Sequence, residues 1–245
     1  DQVVRQAIYQ AVNRQQIADV DLKNLGTWKP TILNNRFFVN NQNGYQDNVG
    51  DLTYNPDAAN KALDAAGWVK GSDGIRAKNG VKLDLKWIES QGVKVTSNEA
   101  QMVKADLQKI GINITETPVN GDDYFDKYIN VGQYDITAFA YSGNPFSISS
   151  GAPQIQSVTD PKNIHNNPRL DNAPDVDALV RKALTDTDPT QAVADANAAD
   201  KAATKQASLI PLYQRPQIWS TKSTLANFGS FGFQDYDWTK VGFTG

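Results

Sequence analysis

Three strand-like segments alternate with two helix-like segments in the middle of the chain, and this order restricts the possible folds more than any other feature. Residues 81–87, 112–117 and 134–140 have the apolar patterns of strands, whereas 96–110 and 122–129 have apolar residues at helical spacing. This order fits a mostly parallel sheet with right-handed crossovers and helices packed on its faces. The sequence therefore predicts an α/β fold whose ligands lie beyond the carboxyl ends of the strands.

Several helix ends are marked by local sequence patterns. An apolar stripe predicts a first helix over about residues 2–18. Asn55 before a proline predicts the start of a second helix, and Gly67 predicts its end. Thr96 and Glu99 have the spacing of a capping box, which predicts the start of the helix between the first two strands.

Two stretches, 21–52 and 141–174, are rich in Asn, Gly, Ser and Pro and lack periodicity. We expect both to be long loops, and loops of this length are often functional. The second is followed by two predicted helices, over 176–184 and about 189–207.

Composition excludes several classes of protein. The 245 residues include 24 basic and 27 acidic side chains, and this scattered charge does not favour nucleic acid as a partner. Without cysteine, the chain has no disulfides, thiolate metal sites or cysteine nucleophile. Its apolar runs are far shorter than the ~20 residues that a membrane span needs.

Motifs of common enzymes are also missing. The chain has no Gly-x-Ser-x-Gly elbow, no Walker loop and no Gly-x-Gly-x-x-Gly, and its single histidine, His165, lies in a predicted loop. A glycosidase needs two catalytic carboxylates, and these could come from Asp122, Asp123, Asp126 and Asp135. Asp122 or Asp123 equally suits a helix start, where a carboxylate favours the dipole.

Aromatic residues in the polar loops are better candidates for a binding site. Flat rings beside amide side chains suit a small-ligand pocket, although such rings can also pin loops to the domain. The rings concerned are Trp28, Phe37, Phe38, Tyr141 and Phe146.

Five segments in fixed order resemble one family. The likeness is to the second lobe of the extracytoplasmic solute-binding proteins of ABC importers, in the oligopeptide- and dipeptide-binding family. The segments are V-R-Q-A-I with A-V-N-R in residues 4–14, Y-N-P-D-A-A-N-K-A-L to A-G-W in 54–68, A-D-L-Q-K-I-G-I in 105–112, G-Q-Y-D-I in 132–136 and L-I-P-L-Y in 209–213.

The resemblance implies a clamshell receptor that binds a small peptide or other solute and presents it to a membrane permease, without catalysis or a cofactor. Residues 1–208 would form the second lobe, and 209–245 a return segment that packs on the N-terminal lobe. Because the chain starts at Asp1 without Met, we expect it to be an excised piece of a longer protein. The expected location is extracytoplasmic, either periplasmic or lipid-anchored on the outer face of the cell membrane.

The resemblance also locates a ligand site in the loop after the third strand, where family members hold a peptide ammonium with an aspartate. Tyr141 and Asn144 occupy the matching positions, and neither is anionic at neutral pH. A buried ammonium without a carboxylate is costly, so these residues favour a neutral solute or a peptide held by its backbone. The candidate ligand-binding residues are Phe139, Tyr141, Ser142, Asn144 and Phe146, with Trp28 and Arg36 as additions from the first long loop.

Three alternatives stay open. The first is a hydrolase that uses the Asp122 to Asp135 carboxylates, and the second is a purely structural or partner-binding module. The third is a receptor of the same family for a neutral oligosaccharide or a metal chelate. An upstream signal peptide with a lipidation cysteine would favour a receptor, whereas an upstream catalytic domain would favour the hydrolase.

Overall fold

The chain opens with two short helices, α1 (Gln2–Ala11) and α2 (Arg14–Leu22). The predicted single helix over 2–18 is wrong because the chain turns at Asn13. The Asn13 N–H donates to Asp106 Oδ2 (2.8 Å), and its side chain accepts from the Gln16 N–H (3.1 Å) to cap α2. The computed structural model describes residues 1–26, 29, 31–160, 162–165, 167 and 173–245.

The second predicted helix is confirmed as α3 (Pro56–Ala65). The Asn55 side chain accepts from the Ala58 N–H (3.0 Å), and Gly67 ends the helix at φ +81°. Local capping chemistry is therefore sufficient to define this helix. An antiparallel three-stranded sheet follows, formed by β1 (Val69–Lys70), β2 (Arg76–Lys78) and β3 (Val81–Lys82).

A second sheet is parallel and confirms the predicted α/β fold. Its order is β5-β4-β6, and the register of β4 with β5 runs from Asp84 opposite Asn113 to Ser90 opposite Val119. The first predicted strand divides, because Val81 and Lys82 pair with β2 instead. The third is shorter than predicted. The strands are β4 (Asp84–Ser90), β5 (Asn113–Val119) and β6 (Ile136–Thr137).

Helix α4 (Lys94–Lys109) connects β4 to β5 without the predicted capping box. Since α4 begins two residues before Thr96, the Thr96 hydroxyl lies in the first turn and donates to the Val93 carbonyl (2.9 Å). Glu99 is buried and accepts from the Tyr213 hydroxyl (3.0 Å) rather than capping the helix. The hydrogen bond from Tyr213, a residue distant in sequence, therefore takes the place of the predicted local cap.

The connection from β5 to β6 is also helical but irregular. A short α5 (Gly121–Asp123) continues into a π-helical turn over Tyr124–Ile129. The side chain of Asn120 caps α5 by accepting from the Asp122 N–H (2.9 Å), so the prediction that Asp122 or Asp123 is the cap is wrong.

The C-terminal half contains a helical hairpin and an extended tail. The predicted helices at 176–184 and 189–207 are confirmed as α7 and α8, although α8 ends at Thr204. The elements are α6 (Ser147–Gly151), α7 (Pro174–Thr185), α8 (Pro189–Thr204), β7 (Leu225–Ala226) and β8 (Gly242–Phe243).

Residues 31–50, here called the asparagine loop, lie between α2 and α3. They form no helix or strand, only an isolated bridge between Ile32 and Tyr213, which agrees with the predicted loop. Phe37 and Phe38 are buried against α7 and α8, so they pin this loop to the domain.

Two main apolar cores stabilise these layers. One joins helices α1, α2, α3 and α4 with the parallel sheet, and the other joins the asparagine loop with α6, α7 and α8. In the described part of the chain, no helix combines the length and apolarity needed to cross a bilayer.

Candidate ligand-binding site

The carboxyl edge of the parallel sheet carries the candidate site. Strand β6 ends at Thr137, which lies opposite Ile88 of β4. Residues 138–146, here called the ring loop, then leave the sheet at the edge where ligands of parallel sheets bind.

Four aromatic rings form a continuous series at this edge. The ring centroid of Phe125, in the π-helical turn, lies 5.0 Å from that of Tyr124 and 5.5 Å from that of Phe139. In both pairs the two ring planes are nearly perpendicular. Phe139 lies 5.1 Å from Tyr141 with the ring planes at 53°. These separations are those of favourable aromatic pairs.

Hydrogen bonds fix one end of this series. The Thr137 hydroxyl donates to the Ile88 carbonyl (2.9 Å) and lies 2.5 Å from the Tyr124 hydroxyl, which also donates to the Ala138 carbonyl (3.2 Å). The π-helical turn is thereby tied to β4 and to the start of the ring loop.

The other end of the series reaches solvent. Tyr141 is 37% exposed, Phe125 40% and Phe146 73%, while Phe139 is half-buried. Desolvation raises the pKa of Tyr134 to about 12 and also raises the pKa of Tyr141. The Tyr141 hydroxyl is therefore protonated at neutral pH and can donate a hydrogen bond without carrying charge.

The rest of the ring loop combines polar and close-packed residues. The Asn144 amide oxygen accepts from the Phe146 N–H (2.8 Å), and Ser142 is exposed. A side chain at Gly143 would place its Cβ 2.8 Å from Phe233 Cζ, so the tail packs closely on the loop here. Glycine permits this approach.

The structure brings together five predicted site residues in one loop, but Arg36 of the first long loop is not among them. Arg36 is buried and paired with Asp200, with 2.9 Å between Arg36 Nη1 and Asp200 Oδ1. It also donates to the Thr204 hydroxyl (2.7 Å) and the Leu209 carbonyl (2.8 Å), so both terminal nitrogens of its guanidinium are occupied inside the protein. Trp28 lies outside the described residues.

Phe125 is the residue at this site that the sequence did not single out. Its spacing predicts an ordinary helical face shared with Tyr124, but the Asn130 N–H donates to the Phe125 carbonyl (2.8 Å), five residues back. This bond belongs to a π-helix, which has no marker in the sequence. The only available signal was the density of rings in residues 124–128.

Two of the four carboxylates considered for a hydrolase have other partners. Asp123 pairs with Lys127 (3.0 Å), and Asp135 accepts from the Lys86 N–H (2.8 Å). His165 is exposed in a loop. Within the described ranges, no group of three or more His, Asp or Glu residues is arranged to hold a metal ion.

A sequence relative matches the whole chain. The oligopeptide-binding protein OppA of Mycobacterium tuberculosis strain H37Rv is 36% identical over an alignment of 245 residues, which covers 99% of this chain and 40% of the relative. The chain thus spans about two fifths of that relative's length.

Solved structures share the fold. An oligopeptide-binding protein from Thermus thermophilus complexed with a pentapeptide has a TM-score of 0.77 and 20% identity, covering 93% of this chain and 40% of that one. A periplasmic oligopeptide-binding protein from Thermotoga maritima with bound mannohexaose has a TM-score of 0.78 and 20% identity, covering 93% and 44%. Residues 1–163 match the middle region of the bacterial extracellular solute-binding proteins, family 5. This chain therefore belongs to family 5 of the bacterial extracellular solute-binding proteins.

Proposed function

We propose that this chain is one lobe of a receptor that captures small peptides for an ABC importer and alters no bond in them. The observation that carries the proposal is the series of partly exposed rings at the carboxyl edge of the parallel sheet. Membership of a solute-binding family and the name of the mycobacterial relative support it.

The proposed lobe comprises residues 1–208, and residues 209–245 form the return segment that packs on an N-terminal lobe. The tail supports this division because it has a ring cluster of its own. Phe228 and Tyr236 stack at 4.8 Å, and Trp238 beside them is largely exposed. Exposed rings of this kind suit an interface.

The proposed ligand contacts are Phe139, Tyr141, Ser142, Asn144 and Phe146. A protonated Tyr141 and an amide at Asn144 suit the backbone of a peptide or another neutral solute better than a free ammonium group. Arg36 is left out of the proposed site because Asp200 neutralises it. Trp28 stays a prediction from the sequence alone.

The partners of the whole receptor follow from the same proposal. A membrane permease would receive the solute, and the receptor would act outside the cytoplasm, in the periplasm or lipid-anchored. A signal peptide with a lipidation cysteine in the upstream reading frame would support the anchored form, whereas a catalytic domain there would contradict the receptor.

A neutral oligosaccharide is the second candidate ligand. Exposed rings suit sugar faces as well as peptides, and the Thermotoga maritima neighbour holds mannohexaose. A thermal-shift screen of the full-length receptor against di- to hexapeptides and against mannohexaose separates the two. If neither class raises the unfolding midpoint, the proposed function is wrong.

Calorimetry on the full-length receptor tests the site itself. Tyr141→Ala and Asn144→Ala are each expected to weaken the binding of the best peptide from the screen. Tyr54→Ala is the matched control, because Tyr54 is exposed on the loop before α3, in another part of the chain. Unchanged affinity in both site variants would remove these residues from the site.

A further inference from the structure

Phe125 occupies an unusual position for a large apolar side chain. Its ring is 40% exposed although it contacts Tyr124 and Phe139 edge to face. An exposed apolar surface of several adjoining rings is characteristic of a binding surface rather than of a core.

The π-helical turn is what holds Phe125 there. Two backbone hydrogen bonds span five residues here. The Asn130 N–H donates to the Phe125 carbonyl (2.8 Å), and the Gln133 N–H donates to the Tyr128 carbonyl (2.8 Å). Such turns are rare and occur frequently at functional sites. Because the Tyr124 hydroxyl is tied to Thr137 and Ala138, the position of Phe125 is fixed against the sheet before any ligand arrives.

Among the described residues, the charged side chains that shift the pKa values of Tyr124 and Tyr141 have partners of their own. Arg36 lowers the pKa of Tyr141 against the larger effect of burial, but it is paired with Asp200. Besides burial, Glu89 and Glu99 raise the pKa of Tyr124, and both are buried. Glu89 accepts a hydrogen bond from the Ser97 hydroxyl (2.8 Å), and Glu99 accepts one from the Tyr213 hydroxyl (3.0 Å). The ring surface therefore suits an uncharged apolar group.

We propose that Phe125, together with Phe139 and Tyr141, binds an aromatic side chain of the captured peptide and makes the receptor prefer peptides that contain one. This inference rests on the proposed function and names the ligand group for the same site. A ring added to this series gains from edge-to-face or offset stacking beyond the apolar area that it buries.

The test uses the full-length receptor and pentapeptides in which one phenylalanine moves through an alanine background, with pentaalanine as the reference. We expect the wild type to bind its best phenylalanine peptide more tightly than pentaalanine. Phe125→Ala should reduce affinity for that peptide about 3- to 10-fold and leave pentaalanine binding nearly unchanged. Phe125→Tyr should retain the preference, and Tyr54→Ala is the control for an exposed ring elsewhere.

The outcomes separate this inference from the proposed function. If the wild type and Phe125→Ala bind both peptides with the same discrimination, the receptor stands and the role of Phe125 is wrong. An equal loss for both peptides would also overturn it, because that result indicates a general structural role. If Phe125→Ala does not fold, Phe125→Leu decides: its preference for the phenylalanine peptide over pentaalanine should be weaker than that of the wild type, and an unchanged preference would overturn the inference. Binding of mannohexaose without any pentapeptide would overturn both proposals.

Discussion

The asparagine loop and the ring loop look alike in sequence but differ in structure. Both are polar stretches with aromatic residues, and the sequence assigns ligand contacts to both. In the asparagine loop Asn35, Asn48 and Arg36 are buried against α8, whereas in the ring loop Tyr141 and Phe146 remain exposed. The difference shows that polar composition alone does not identify a ligand loop.

Buried hydrogen bonds define the asparagine loop. Asn197 of α8 accepts from Asn35 (2.8 Å) and from Asn48 (3.0 Å), and Asn48 also donates to Asp200 (2.8 Å). The Asn35 side chain accepts from the backbone of Phe37 (2.9 Å). The buried backbone groups of a loop need hydrogen-bond partners, and this loop has no helix or strand to supply them. Amide side chains of the loop supply partners instead.

The largest expected effect comes from breaking the Arg36–Asp200 pair. Both side chains are at most 2% exposed, so Asp200→Ala leaves a buried cation without a carboxylate to balance its charge. We expect a loss of about 3–5 kcal/mol in the free energy of unfolding, measured by urea denaturation. The double variant Arg36→Met, Asp200→Leu should recover part of that loss, because it buries no charge.

If Asp200→Ala costs less than ~1 kcal/mol, the asparagine loop is not held by this pair and the contrast between the loops fails. Solute affinity gives the complementary result. Variants of the ring loop should lose binding with little change in stability, whereas the double variant should retain binding.

A smaller effect is expected at the contact between the asparagine loop and α6, the helix that follows the ring loop. Gly151, at the end of α6 beyond the ring loop, lies so close to the asparagine loop that an added Cβ would be 2.6 Å from Phe37 Cδ1 and 3.3 Å from the Arg36 carbonyl. Gly151→Ala should therefore destabilise the protein by about 1–3 kcal/mol through overpacking. Gly229→Ala is the control, since nothing lies within 4 Å of its Cβ position. Equal stability of both variants would show that the two regions are loosely joined.

Features set by neighbouring residues were predictable, and those set by distant partners were not. The Asn55 cap and the Gly67 stop are local, and the sequence predicts both. The break at Asn13 depends on Asp106, 93 residues away, and the burial of Arg36 on Asp200, 164 residues away. No local pattern carries that information.

The candidate site divides in the same way. The strand order and the family likeness are enough to identify the ring loop, because the carboxyl edge of a parallel sheet follows from topology. Phe125 was missed because a π-helical turn rotates the ring toward Phe139, and sequence periodicity assumes 3.6 residues per turn.

The next prediction concerns how stability depends on pH, and it involves the contact between the asparagine loop and the return segment. Ile32 bridges Tyr213, whose hydroxyl lies 2.9 Å from Asp21 Oδ2 and 3.0 Å from Glu99 Oε1, with Arg215 3.5 Å from Glu99. One hydroxyl proton cannot satisfy two carboxylates. Burial raises the pKa of Glu99, against the smaller opposing effects of Tyr213 and Arg215.

Since the folded protein then holds a proton that the unfolded chain has released, stability should fall as pH rises from about 4.5 through the raised pKa. Glu99→Gln cannot ionise, so it should remove this slope and stabilise the protein by about 1 kcal/mol at pH 7. Unfolding midpoints measured between pH 4 and 8 test this. A slope that persists unchanged in the variant would assign it to another group.

The smallest effect is expected for Asn144→Ala, and its matched partner is Asn48→Ala. Asn48 is buried and donates to two acceptors on α8, so its loss should cost about 1–3 kcal/mol by leaving Asp200 and Asn197 underbonded. Asn144 accepts one backbone N–H in a partly exposed loop, so its loss should change stability by only about 0.5 kcal/mol. The same substitution thus tests the two loops directly through their unfolding free energies. If Asn144→Ala costs as much as Asn48→Ala, the ring loop is a structural element like the asparagine loop, and its rings are exposed for a reason other than ligand capture.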